Sequence, residues 1–215
     1  MVPRRTQEQR SSEMRTRLLE ATIDCLVDYG YAGTTVNRVA ERAGVTRGAQ
    51  VHHYPAKVDL VVAAVQYLAT KRIEAARIDA KTLVTSTNKL SDALDLLWKM
   101  NQGRLFEASV ELWVAARTDS DLRSHAHEVE GLVAAAALEI GTMIMPERTK
   151  DPRFIAQIYS ARDTIRGLII WSWGMSEPQR EARWLHAKRL MLDAWPVPGE
   201  EQQIRQFAGA QRVAR

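Results

Sequence analysis

Apolar positions in the first eighty residues recur at helical spacing, in four runs separated by strong punctuation. In RTRLLEATIDCLVDYG, residues 15–30, Leu19, Ile23 and Leu26 share one face, and Gly30 follows as a stop. Thr35 can cap a short second helix whose Val36, Val39, Ala40 and Ala43 lie on one side, closed by Gly44. Thr46 caps a third, which stops near Tyr54 because Pro55 disfavours helical backbone in the residue before it. A long fourth helix starts at Pro55 or Ala56 and runs to about Ala80.

Beyond residue 80 the period stays helical and the side chains become bulkier. The pattern predicts helices at about 88–102, 104–117, 120–144, 153–175 and 179–195. Breaks fall at Gly103, at Thr118-Asp119, from Pro146 through Pro152, and at Glu177-Pro178. No alternating run of β-branched residues interrupts them, so the fold class is all-α, about nine helices. The expected organisation is a helix-turn-helix domain over 1–57, a helical effector-binding and dimerisation domain over 58–195, and an extended or poorly ordered tail over 196–215.

Composition narrows the class. At 215 residues, 46% hydrophobic and 26% charged, the chain is ordinary globular material. Its first fifteen residues, MVPRRTQEQRSSEMR, lack the apolar core of a secretory signal, and LIIWSWGM at 168–175 is far too short to span a bilayer. A cytoplasmic protein with no membrane partner is expected. The single cysteine, Cys25, excludes an internal disulfide framework and a cysteine zinc site, and reads as core of the first helix. The net charge of +4 is unevenly spread: residues 1–57 hold nine Lys/Arg against six Asp/Glu. Between 38 and 57 Glu41 is the sole acid, facing Arg38, Arg42, Arg47 and Lys57. Such a surface suits polyphosphate.

Two short helices joined at a glycine form a helix-turn-helix, the unit that lays its second helix in a DNA major groove. The start of that helix presents Arg47, Gly48, Ala49 and Gln50. Arg47 has the fork for guanine N7/O6, and Gln50 can pair bidentately with adenine. His52, His53 and Tyr54 follow within reach of phosphates or base edges. Lys57 opens the next helix, where free N–H groups already favour a phosphate. The adjacent histidines do not read as a metal site, because helical neighbours point about 100° apart and no ligand of suitable spacing stands near. No glycine-rich phosphate loop, G-x-S-x-G elbow or H-E-x-x-H occurs, so neither enzyme activity nor a cofactor is expected.

The run TTVNRVAERAGVTRGAQVHHYPAKVDL resembles the DNA-binding domain of the TetR (tetracycline repressor) family, over about residues 15–60. By that resemblance Thr35 is a phosphate-binding helix cap. Asn37, Arg47, Gly48, Ala49, His52 and His53 face the groove, and Lys57 contacts a phosphate. Val51 departs from it, standing where many members carry a tyrosine. The resemblance implies a homodimeric, ligand-responsive regulator, most often a repressor bound to a palindromic operator. The alternative is a small-molecule binding or scaffold protein of the same fold without operator binding.

Six tryptophans, all beyond residue 90, mark the remaining helices. Together with methionines they suggest an apolar effector pocket between helices five and eight, lined by Trp98, Met100, Phe106, Val110, Trp113, Leu132 and Trp171. Trp171 and Trp173, about 200° apart on one helix, are expected to face different ways, one inward and one toward a partner subunit. A dimer is expected through the last two helices, with Ile158, Tyr159, Arg162, Ile165 and Ile169 on one and Trp184, Ala187 and Met191 on the other.

Overall fold

The fold, given by a computed structural model, is described for residues 6–195; the tail expected over 196–215 lies outside the described residues. Within them every regular element is helical: α1 (Gln7–Gly33), α2 (Val36–Ala43), α3 (Arg47–His53), α4 (Lys57–Leu83), α5 (Lys89–Met100), α6 (Arg104–Ala116), α7 (Ser120–Ile144), a 3-10 helix (Pro146–Lys150), α8 (Phe154–Trp171) and α9 (Glu177–Ala194). No helix among the described residues is long and apolar enough to cross a membrane.

Several boundaries differ from the sequence reading by two or three residues, and three differ for a clear local reason. α1 begins eight residues earlier, because Thr6 and Gln9 form a reciprocal capping box. At Gly30 the chain does not stop but kinks, with φ 67°, and turns on to Gly33. The positive φ requires glycine; a Cβ there would also press on Glu111 Oε2 at 2.9 Å, the end of a flexible side chain. α8 ends at Trp171 rather than 175: Ser172 Oγ and N–H both turn back to the Ile169 carbonyl, and Ser176 with Gln179 then caps α9.

The chain forms two compact units. One takes residues 6–75 and 100–136; the other takes 76–99 and 137–195. The division by contact thus cuts α4, α5 and α7, whereas the division into 1–57 and 58–195 was one of function. The core of the first unit gathers Leu18 and Leu26 of α1, Val39 of α2, Leu60 and Val65 of α4, Leu112 of α6 and Leu122 of α7. Cys25 lies within it, and burial pushes its thiol pKa up. In the second unit Trp98 and Trp184 stack in parallel, centroids 4.8 Å apart, beside Asp95, which accepts from Trp184 Nε1 at 3.3 Å and pairs with Lys188. Ile144, Ala161 and Ile165 are buried there, and Ile158 and Phe154 crowd so close to Gly141 that a Cβ would meet Ile158 at 2.8 Å.

Candidate nucleic-acid interface

The turn between α2 and α3 is built from local chemistry. Thr35 Oγ1 accepts from the Arg38 N–H at 3.3 Å, opening α2, and Gly44 closes it in the left-handed region at φ 63°, ψ 39°. Thr46 Oγ1 then accepts from the Ala49 N–H at 3.3 Å and starts α3. Val39, Ala40 and Ala43 are buried, and the opposite side faces solvent. Thr35, Asn37, Thr46, Arg47, Gly48 and His52 are exposed, while Ala49, His53 and Tyr54 are half-buried. α3 carries no acidic side chain. Val51, at 43% exposure, lies on the same surface and is apolar where the resemblance leads one to expect a phenol. Burial, with His52 and Arg15 nearby, holds the His53 pKa below its ordinary value.

Two expected site residues are otherwise engaged. Gln50 is fully buried, and its Nε2 donates to the Tyr54 carbonyl at 2.7 Å. It closes α3 from inside and cannot reach an adenine edge. We expect Gln50→Ala to destabilise the protein by about 1 kcal/mol, the worth of one such bond, while base preference stays unchanged. Thermal melts and competition binding on variant duplexes check both halves. Lys57 is half-buried, its Nζ donating to the Tyr31 carbonyl at 2.5 Å and lying 4.0 Å from the Tyr31 ring centroid. Burial lowers its pKa. It ties the start of α4 to the end of α1, and its remaining ammonium protons face outward only in part.

Behind the reading head lies a polar link that sequence periodicity does not reveal, since its partners are far apart in the chain. Arg104, the first residue of α6, reaches Asp24 at 2.9 Å and Asp28 at 3.4 Å; Asp28 in turn pairs with Arg42 of α2 at 2.6 Å. The Arg42 hydrogen bond holds the Asp28 carboxyl below its usual pKa. Further along α6, Glu111 accepts from the Tyr31 N–H at 3.2 Å.

The residues expected to line an effector pocket do not share one unit. Trp98 and Trp171 belong to the second, and Met100, Phe106, Val110, Trp113 and Leu132 to the first. Phe106 and Val110 are buried, Phe106 meeting Trp113 edge-on at 6.0 Å, and Met100 is half-buried. Leu132 and Trp171 face solvent, Trp171 at 79%. Trp173 is exposed too, so the expectation that one of Trp171 and Trp173 points inward is corrected: α8 ends between them, and helical angles no longer apply. Among the described residues no group of three His, Cys, Asp or Glu is placed to hold a metal.

The expected dimer stripe is also out of phase. Arg162, Ile165, Ile169, Trp184 and Met191 are all buried within their own protomer; Ile158 and Ala187 are half-buried and Tyr159 is exposed. The regular apolar stripe found its partners inside the unit. Besides Tyr159, the exposed apolar residues of α8 and α9 are Ile155, Ile170, Trp171, Leu185 and Leu190.

Comparison with known proteins meets this geometry. Residues 18–64 match the family model described as bacterial regulatory proteins, tetR family. The HTH-type transcriptional regulator CymR of Pseudomonas putida is 35% identical over 120 residues, 56% of this chain and 59% of that protein. The uncharacterized HTH-type transcriptional regulator Mb2936c of Mycobacterium bovis is 32% identical over 131 residues, 61% of this chain and 67% of that one. The chain thus spans about three fifths to two thirds of these curated relatives, and repressors stand among the others. A TetR transcription regulator from Haloarcula marismortui shares the fold, with TM-score 0.66 and 20% identity over 85% of this chain and 98% of that one. The chain belongs to the TetR family of bacterial regulatory proteins.

Proposed function

We propose that the protein is a transcriptional repressor that binds a palindromic DNA operator as a homodimer and is released by a small, largely apolar molecule. The observation that carries the DNA half is the α3 surface: a helix opened by Thr46, free of acids, presenting Arg47 beside small residues that let backbone approach bases. Arg47 reads bases; Thr35 and Lys57 are the phosphate-side candidates. A mobility-shift assay with operator and random duplexes tests the reading. Retardation of neither supports a small-molecule binding protein of the same fold instead.

The dimer half rests on the exposed apolar set of α8 and α9, more than isolated surface residues account for. Two copies of these helices make a four-helix bundle, and two-fold symmetry sets two recognition helices about 34 Å apart. Trp171→Glu places a charge on that face without touching the protomer core. Sedimentation is expected to show wild-type dimer and variant monomer, with operator affinity down at least tenfold; a variant that stays dimeric at micromolar concentration removes this face from the interface.

Release requires a ligand that prefers the arrangement unable to bind DNA. A hundredfold preference supplies about 2.7 kcal/mol per site. Within the first unit, the Arg104–Asp28–Arg42 link gives displacement of α6 a path to α2, because Asp28 is shared between the two arginines.

A further inference from the structure

The second unit has a cleft of about 460 Å³ where the turn before α5, the 3-10 helix and the end of α9 meet. Its wall combines Leu90, Met145, Leu192 and Trp195 with polar residues of the 86–91 segment, the Lys89–Glu147 pair and Arg148. Arg148 is unusual there. It is 1% exposed, yet it forms no ion pair with any described Asp or Glu. One guanidinium nitrogen donates to Gln157 Oε1 at 3.0 Å and another to the Trp195 carbonyl at 3.5 Å; Nε has no partner. The nearby acids are committed elsewhere, Asp151 to Arg153 at 3.1 Å and Glu147 to Lys89 at 3.8 Å.

Asp151 and Glu147 act on Arg148 only from a distance, and a buried guanidinium with no carboxylate bonded to it is costly; an anion that supplies the missing acceptor recovers part of that cost. Arginine also offers the forked donor set that a carboxylate fits best. Leu90, Met145, Leu192 and Trp195 give the cleft an apolar part, and the remainder of its wall is polar, so the occupant carries a short hydrocarbon body behind its charged head. The geometry points to a binding site for a small organic carboxylate, its head on Arg148 and its body against Leu90, Met145, Leu192 and Trp195. Its occupancy as the effector rests on the repressor reading above; its existence as a site does not.

Calorimetric titration of the full chain with octanoate tests the site, with octanamide as the uncharged isostere and inorganic phosphate as a head without a body. Octanoate is expected to bind at least tenfold more tightly than either. Arg148→Met is expected to lose that preference. Because it also removes two internal hydrogen bonds, Ser91→Asp serves as the second variant: it leaves Arg148 in place, adds a repelling carboxylate to the wall, and is expected to weaken octanoate at least tenfold while Ser91→Asn does not. Equal binding of octanoate and octanamide, undiminished binding by a folded Ser91→Asp, tighter binding of phosphate, or no binding of octanoate overturns the site. Octanoate bound with operator affinity unchanged keeps the site and overturns its role as the effector's. Octanoate bound by a protein that retards no DNA keeps the site and overturns the repressor reading.

Discussion

Replacing Trp184 with alanine is expected to destabilise the protein by about 3–5 kcal/mol, the range for removing a large aromatic from a packed core. Trp184 is 1% exposed, lies flat against Trp98 with an interplanar angle of 2°, and donates from Nε1 to Asp95. The truncation leaves a cavity beside Trp98 and removes the stacking contact, worth about 0.5–1.5 kcal/mol beyond area burial. Asp95 keeps Lys188 as a partner, so no carboxylate is stranded. Trp171→Ala makes the control: a side chain 79% exposed in the protomer contributes within about 0.5 kcal/mol to protomer stability. Urea titrations repeated over a range of protein concentrations separate the two. A Trp184→Ala loss under about 1 kcal/mol contradicts the assignment of the Trp98–Trp184 pair to core rather than to pocket or interface.

On the proposed function, Arg47→Ala is expected to cost roughly 1–3 kcal/mol of operator affinity per half-site and to relax preference at one base pair in each, the effect of losing a bidentate contact to guanine. Its side chain is exposed at the first turn of α3 and has no structural duty in the protomer that the variant would disturb. Lys57→Ala behaves differently. It weakens all duplexes alike and, having lost the bond to the Tyr31 carbonyl, also lowers the melting temperature. Competition binding against a panel of single-base operator variants checks this division; a flat loss across the panel for Arg47→Ala sinks its role in base reading.

The two expectations differ in how legible they are from sequence. The α2–α3 turn is written in local terms, a threonine cap, a left-handed glycine and a second threonine cap within twelve residues, and so its geometry follows from residue type alone. Gln50 shows where local reading ends. In a seven-residue helix, position alone does not separate the side facing the core from the side facing the groove, and a glutamine whose Nε2 is bonded to its own chain reverses a polar-outward expectation. The stripe of Ile165, Ile169, Trp184 and Met191 was visible as a stripe, but which partner it meets is a tertiary fact; here the protomer claims it and leaves Ile155, Ile170 and Leu185 outside. Arg148 gave no signal, since a charged residue in a proline-bounded break reads as solvent-facing until burial is measured. The link through Arg104, Asp28 and Arg42 joins residues 14 and 76 apart in the chain, beyond any periodicity.

Selection of bound DNA from a random duplex pool with the full chain tests the central claim most directly. The account predicts enrichment of an inverted repeat whose half-site centres lie about 34 Å apart, one helical turn, with affinity for the recovered sequence falling steeply as salt rises. Enrichment of no sequence, or of a single half-site without its inverted copy, contradicts it.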